Sequence, residues 1–235
     1  MTNNILITAK YSFITQIITA TIDYIALQIE IPSNLLILKQ ILALELGVQI
    51  IESIFYTWLL SSYHTVEEIT KYRYYDWGLS TNVMLFILVI YIVHLQQPEK
   101  TMIQIYQEHK KKIHNILFLN TLMLVIGYLG EIKKIKINTS VSVGFIPFLI
   151  YYNIIYQSYV KDEILNKQTI SNEKKKEIKT LFWYFFIIWS MYGIAAALPY
   201  SQKNVSYNIL DLFSKNFFGL FLSYKVYSNK LNYNK

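Results

Sequence analysis

Long runs of apolar residues, separated by short polar stretches, dominate the 235-residue chain. A helix that crosses the roughly 30 Å hydrocarbon layer needs about 20 mostly apolar residues, because each helical residue rises about 1.5 Å. Seven stretches come close to this length or exceed it. They cover residues 5–29, 34–62, 73–95, 113–130, 139–160, 178–199 and 205–227. The pattern predicts an all-α bundle of seven transmembrane helices that forms a single domain over residues 1–235.

The stretch 99–112 between the third and fourth segments has a different pattern. Met102, Ile105 and Tyr106 share one face of a helix there, and charged residues take the other positions. Such a stretch is typical of a short amphipathic helix on the inner membrane surface. A solvated basic loop is an equal alternative.

The composition supports a membrane protein. Hydrophobic residues make up 54% of the chain and charged residues 16%, against roughly 25% charged residues in soluble domains. A net charge of +7 would suggest nucleic acid in a soluble protein, but here the lysines lie between apolar segments, where they meet lipid headgroups. We therefore expect a lipid bilayer and no nucleic acid as partner. The chain contains no cysteine, so thiolate metal sites are excluded, and we expect no metal site.

Basic residues predict how the chain is oriented. With Lys215 set aside, fourteen of them lie in the loops and tail on the side of the C-terminus and seven on the side of the N-terminus. Cytoplasmic loops carry the excess of lysine and arginine. We therefore predict an N-terminus outside and a C-terminus in the cytoplasm, although the cluster at 133–136 weakens this prediction slightly.

The seventh segment carries polar residues inside the membrane. Asn204, Asn208, Asp211 and Lys215 share one helical face at offsets of four, seven and eleven. A charge at the bilayer centre costs roughly 2.5–3.5 kcal/mol, so each one calls for a partner or a function. A buried structural ion pair is one interpretation, but such pairs are often no more stable than apolar replacements. We favour a lysine amine made reactive by burial, which can form a Schiff base with an aldehyde.

The third segment supplies a second carboxylate. Arg73, Asp76 and Ser80 share one face, and Arg73 is the one arginine of the chain. Its planar, permanently charged guanidinium suits a bridge between two carboxylates, so we expect it to link Asp76 with Asp211. The alternative is an interfacial arginine whose side chain extends out of the membrane.

These residues resemble the microbial rhodopsins. The third helix of that family reads R-Y-x-D-W-x-x-T/S-T, which the chain matches over residues 73–81. The seventh helix carries D-x-x-x-K, matched by Asp211 and Lys215, and the W-x-x-Y of the sixth is matched at Trp189 and Tyr192. Three motifs on the expected helices, in the expected order, make the resemblance specific over most of the chain.

The resemblance implies all-trans retinal bound covalently to Lys215 as a Schiff base. It places these further residues around the chromophore: Asp76, Asp211, Arg73, Trp77, Thr81, Ser80, Met123, Gly127, Trp189 and Tyr192. It also suggests a hydrogen bond between Asn120 and Thr81. Two departures leave the shape of the pocket open, because Gly193 replaces the usual proline and Ala196 replaces a tryptophan usual in pumps. Taken alone, the tryptophans would indicate core packing.

The chain lacks two features of an outward proton pump. Such pumps carry a carboxylate eleven residues after the counter-ion, as proton donor, and this chain has Ile87 there. Residues 178–210 contain no Asp or Glu, although pumps tend to carry carboxylates near the outer end of the bundle. An apolar side chain cannot relay a proton, so a pump without these groups would be weak.

Polar positions on three helices could instead form a pathway for ions. If their faces meet, they make a polar seam between the first, second and seventh helices, and carboxylate-lined seams attract cations. The seam residues are Ser12, Gln16, Glu45, Glu52, Asn204, Asn208 and Asn216. The alternatives are protonated carboxyls in ordinary packing and asparagines that join helices.

This set also resembles the group 1 viral rhodopsins of giant algal viruses, or viral channelrhodopsins, in which the matching positions mark the conduction path. The resemblance implies a photoreceptor in a host-cell membrane that acts as a light-gated channel for monovalent cations. A light-driven outward proton pump and a sensory rhodopsin that signals through a partner are the alternatives. We expect no enzymatic activity. The residues do not determine the oligomeric state.

Overall fold

A computed structural model describes residues 2–165 and 170–233 of the chain. Lys167 and Lys235, which were counted in the orientation prediction, lie outside these residues. The helices are α1 (Thr2–Leu27), α2 (Leu36–Ser62, preceded by a 3₁₀ turn, Ser33–Leu35), α3 (Thr70–His94), α4 (Met102–Glu131), α5 (Ile137–Ile155, continued by a π-helical segment, Tyr156–Leu165), α6 (Asn172–Ala196) and α7 (Tyr200–Asp211, a π-helical turn over Leu212–Asn216, and Phe217–Tyr233).

The seven helices form the predicted bundle. Each packs against its neighbours in the chain, and α7 also packs against α1 and α2, which closes the seven helices into a ring. Within the described residues, six helices are long and apolar enough to cross a membrane. The helix without such a span is α7, because its first half is rich in polar residues. The fold is that of a multi-pass integral membrane protein.

The stretch predicted as a surface helix does not form an element of its own. Thr101 caps α4 with a capping box, and the helix then runs unbroken from Met102 to Glu131. No glycine or proline lies within residues 102–126. The helix therefore has no break between its lysine-rich first turns and the apolar turns that follow. Thirty helical residues span about 45 Å, which exceeds the hydrocarbon layer, so the first turns project beyond it.

The sequence of each helix matches its surroundings, which are the protein interior for α3 and lipid for one face of α1. The run from Ile87 to Val93 on α3 is buried at every position, which explains why this run is apolar without alternation. On α1, Ile14, Ile18 and Ile25 are more than half exposed and would face lipid. Membrane proteins can expose apolar side chains in this way because lipid tails are as apolar as the core.

The π-helical turn of α7 lies around Lys215. A π turn makes i→i+5 hydrogen bonds and therefore widens the helix locally, often at functional sites. The widened turn runs from Leu212 to Asn216 and so includes the lysine itself.

Candidate functional site

Lys215 is buried in the middle of the bundle, with 1% of its surface exposed. Its Nζ donates a hydrogen bond to Asp76 Oδ2 at 2.6 Å and lies 3.7 Å from Glu52 Oε1. No ion pair within 4.0 Å joins it to Asp211 in the described residues. The carboxylate that contacts Lys215 directly is therefore Asp76 of α3, while Asp211, four residues earlier on α7, is bound by other groups.

Arg73 holds Asp211 instead of bridging two carboxylates. The Nη1 atom of Arg73 lies 3.2 Å from Asp211 Oδ2, and the described ion pairs include none between Arg73 and Asp76. Two tyrosines complete the binding of this carboxylate, since Tyr56 donates to Oδ2 at 2.8 Å and Tyr192 to Oδ1 at 2.7 Å. Asp211 is thus paired with Arg73, and Asp76 with Lys215.

The remaining donors of Arg73 also reach α7. Nε donates to Asn204 Oδ1 at 3.3 Å and Nη2 donates to Asn208 Oδ1. Residues 204, 208 and 211 follow one face of α7, and the three bonds together fit the planar guanidinium. Arg73 has no exposed surface and packs against the ring of Phe55 at 5.2 Å. It is an internal connector between α3 and α7, so the alternative of an interfacial arginine is excluded.

A mostly apolar cavity lies next to Lys215, between α3, α4, α5, α6 and α7. The space between its lining atoms is about 840 Å³, including its open mouth. Seven of the residues expected around retinal line this cavity: Trp77, Thr81, Met123, Gly127, Trp189, Tyr192 and Lys215. Asp76, Asp211 and Arg73 do not line it, and Ser80 hydrogen-bonds the backbone oxygen of Asp76 at 2.9 Å.

Two glycines set the walls of the cavity. A Cβ atom at Gly127 would come within 2.8 Å of the Tyr74 hydroxyl, and one at Gly193 within 2.7 Å of the Phe145 ring. The replacement of the usual proline by Gly193 therefore lets Phe145 of α5 pack directly against α6. Ala196 lines the cavity where a tryptophan would fill it.

The wall at α3 is held in place from α4. Asn120 Nδ2 donates to Thr81 Oγ1 at 2.8 Å, which confirms the predicted contact between these helices. The same amide also donates to Asn82 Oδ1 at 3.1 Å. Thr81 thus lines the cavity and is also held in place by its hydrogen bond to Asn120.

The polar faces of α1, α2 and α7 meet. Ser12 Oγ donates to the backbone oxygen of Asn208 at 2.7 Å, and Gln16 Nε2 donates to Glu52 Oε2 at 2.6 Å. All seven predicted seam residues are buried, with at most 3% of their surface exposed. Since Glu52 also lies near Lys215, the seam and the lysine site share a carboxylate.

Sequence reasoning missed the continuation of the seam toward the C-terminal end of α7. Thr19 Oγ1 donates to Asn216 Oδ1 at 3.1 Å. Asp23 accepts hydrogen bonds from Gln49 Nε2 and Ser223 Oγ, each at 2.5 Å. The signal was present, because residues 12, 16, 19 and 23 follow one face of a helix at offsets of four, seven and eleven.

Glu45 differs from the other seam residues. It is fully buried, and neither carboxyl oxygen has a hydrogen-bond partner within the part of the chain that the structure describes. Buried polar atoms without partners are uncommon, and each one calls for an explanation. Glu45 contributes no hydrogen bond to the packing that surrounds it.

Comparison with known proteins places this arrangement in a family. Residues 7–229 match the family model described as bacteriorhodopsin-like protein. No curated protein matches the chain. Among solved structures, the viral rhodopsin OLPVRII superposes with a TM-score of 0.77 at 27% identity, over 93% of this chain and 95% of that one.

Two further structures share the fold at lower identity. Xanthorhodopsin, a light-driven ion pump with dual chromophore, has a TM-score of 0.77 at 17% identity, over 99% of this chain and 96% of that one. The blue light-absorbing proteorhodopsin from Med12 has a TM-score of 0.73 at 17% identity, over 96% and 98%. These two likenesses concern the fold alone.

Proposed function

Because this chain belongs to the bacteriorhodopsin-like family, whose members bind retinal through a lysine, we propose that it is a light-gated channel for monovalent cations with all-trans retinal on Lys215. The observation that carries the proposal is the position of Glu52, between Lys215 and Gln16. This carboxylate is shared between the lysine site and a continuous polar seam. A change at the lysine can therefore reach the seam directly.

The residues present fit retinal. The cavity is lined mainly by aromatic and aliphatic side chains, and among its lining residues only Lys215 carries an ionisable amine. A protonated nitrogen at the lysine position needs a nearby anion in a low-dielectric interior, and Asp76 Oδ2 lies 2.6 Å from Nζ. The second oxygen, Asp76 Oδ1, has no partner among the described residues and remains able to accept a proton or a hydrogen bond.

Retinal would supply the light-driven change of shape. The side chains around Lys215 hold the proton and exclude water: Trp77 and Trp189 line the cavity with their rings, and Asp76 is the nearest acceptor for a proton that leaves Nζ. Asp211 is bound by Arg73 and two tyrosines. Both of its oxygens are therefore already occupied, and the proton moves to Asp76, whose Oδ1 is open within the described residues.

Glu52 couples this proton transfer to the seam. In the closed state, Glu52 Oε1 faces the Lys215 cation at 3.7 Å and Glu52 Oε2 accepts from Gln16 at 2.6 Å. When Nζ loses its charge, the attraction that holds Glu52 on the α7 side is lost. The contact between Glu52 and Gln16 then loosens, and cations pass between α1, α2 and α7.

The seam favours a channel over a pump. Ile87, at the position of the usual proton donor, is fully buried among apolar side chains, so no relay starts there. The seam holds the buried carboxylates Asp23, Glu45 and Glu52, which attract cations. The basic loops orient the protein with its N-terminus outside and its C-terminus in the cytoplasm.

A photocurrent–voltage curve tests the proposal. Cells that express the protein are supplied with retinal and recorded under sodium, potassium and proton gradients, with Lys215→Ala as the control for light artefacts. A channel gives currents that reverse at the Nernst potential of a cation. Currents of one sign at every holding potential would contradict it and favour an outward pump, and silence with a slow photocycle would favour a sensor that signals through a partner.

A further inference from the structure

The end of the seam nearest the C-terminus of α7 is closed by a cluster of hydrogen bonds, which we call the inner cluster: Thr19, Asp23, Gln49, Asn216 and Ser223. Its residues come from α1, α2 and α7. At most 5% of the surface of each is exposed. Asn216 adjoins Lys215, whereas Ser223 lies eight residues beyond it, about 12 Å along the helix, so the contact of Ser223 with Asp23 is separate from the lysine site.

Asp23 is the centre of the inner cluster. One oxygen accepts from Gln49 on α2 and the other from Ser223 on α7, each at 2.5 Å. Within the described ion pairs, none neutralises Asp23. Its stabilisation therefore depends on these two neutral donors, whose positions depend on how closely the three helices approach.

Gly219 makes this close approach possible. A Cβ atom at this position would lie 2.2 Å from Asp23 Oδ2 and 2.3 Å from Gln49 Nε2. Both distances are far below van der Waals contact. Any larger residue would force apart the bond between Asp23 and Gln49, so α7 can pack over it only where a side chain is absent.

We infer that Asp23, Gln49 and Ser223, packed against Gly219, form the inner closure of the cation pathway. The inference rests on the proposed channel function. In the closed state the three side chains use each other's polar atoms and leave none for a passing ion. When α7 moves away from α1 and α2, the same Asp23 oxygens become available and line the inner mouth.

Two substitutions test the closure through its kinetics. Asp23→Asn keeps the shape but removes the charge that the two donors stabilise, and Gly219→Ala inserts a methyl group into the Asp23–Gln49 contact. Loss of a hydrogen bond to a charged group changes an equilibrium by about tenfold, so we expect the current to decay about tenfold more slowly after the light is turned off. Wild-type decay in both variants would overturn the inference.

Gly47→Ala is the matched control for Gly219→Ala. Both change a helical glycine to alanine, with the same gain in helix propensity, but a Cβ at Gly47 meets nothing within 4 Å. We expect Gly47→Ala to close at the wild-type rate. If Gly219→Ala does not assemble, Ser223→Ala removes one donor without added bulk and carries the same expectation.

A second measurement does not depend on ion conduction. The chain has no cysteine, so Ser223→Cys introduces a single thiol at a position with 5% exposure. In purified protein in detergent, a soluble thiol reagent should label this cysteine about tenfold faster in light than in the dark, because opening exposes it. Asn172→Cys, which is exposed at the start of α6, should label equally in both conditions.

The two measurements separate the two proposals. Light-dependent labelling of Ser223→Cys in a protein without cation current would refute the channel and retain the moving closure. Equal labelling in light and dark would refute the closure, whatever currents the wild-type protein passes.

Discussion

The two sides of α7 are built on different principles. On one side, the cavity is enclosed mainly by apolar and aromatic residues that make few hydrogen bonds. On the other, the seam joins α7 to α1 through side-chain hydrogen bonds such as Thr19–Asn216 and Asp23–Ser223, and joins α1 to α2 through Gln16–Glu52. Lys215 lies where the two regions meet.

The difference between the cavity side and the seam side follows from the lipid that surrounds the bundle. In a membrane, apolar contacts between helices gain little over contacts with lipid, so an apolar wall can leave a cavity at modest cost. A buried polar group needs a partner, and loss of one partner is expensive. The cavity side should therefore tolerate changes of shape, and the seam side should respond strongly to changes of charge. Four substitutions test this contrast, from the largest expected effect to the smallest.

Lys215→Arg should abolish every response to light, because guanidinium keeps the charge but does not replace the amine that binds retinal. The visible absorption band after addition of retinal is the measurement. Lys225→Arg, at an ion-paired lysine on the same helix, is the control and should retain the band. A pigment that still forms in Lys215→Arg would refute the assignment of the binding lysine.

Arg73→Gln should cause the largest loss of stability on the seam side. It removes the cation of a fully buried pair and leaves Asp211 uncompensated, which costs about 3–5 kcal/mol. Thermal unfolding in detergent measures the effect. Arg73→Lys keeps the charge but cannot reach Asn204, Asn208 and Asp211 together, so we expect partial recovery. A Gln variant as stable as wild type would show that the Arg73–Asp211 pair contributes little.

Gly193→Ala tests the cavity side. The added methyl would meet the Phe145 ring at 2.7 Å, and overpacking typically costs about 1–3 kcal/mol. Phe145 borders the cavity and can move into it, so we expect a loss toward the lower end of this range, together with a shift of the absorption maximum. A loss as large as that of Arg73→Gln would remove the contrast between the two sides.

Glu45→Gln should have the smallest effect on stability, less than about 1 kcal/mol, because no hydrogen bond to its carboxyl is lost. If Glu45 lines the pathway, cation photocurrents at equal expression should nevertheless fall several-fold. Glu52→Gln is the comparison, since it also loses the contact with Lys215 and should destabilise the fold. Unchanged currents in Glu45→Gln would remove Glu45 from the pathway.

Much of the architecture follows from the sequence alone. Seven apolar stretches of membrane-spanning length predict seven helices, and the seam residues share faces at regular offsets. These features are local, because helix length and the 3.6-residue period can be counted along the chain. The residues expected around the cavity came instead from the resemblance to microbial rhodopsins, which the motifs on the third, sixth and seventh helices carry.

Only the tertiary structure decided which charges meet. The sequence predicted Arg73 between two carboxylates, but Arg73 pairs with Asp211. Lys215 meets Asp76 of α3 and Glu52 of α2. These residues lie more than 130 positions away in the chain, so the pairing could not be read from the sequence.

The contacts of the inner cluster could not be predicted from the sequence either. The position of Asp23 on the polar face of α1 could be counted along the chain, but its contact with Ser223 spans 200 residues. The role of Gly219 depends on how closely three helices approach. Sequence determined which side chains each helix presents; the packing of α1, α2 and α7 decided which of them touch, because hydrogen bonds between helices form only at distances that the whole bundle sets.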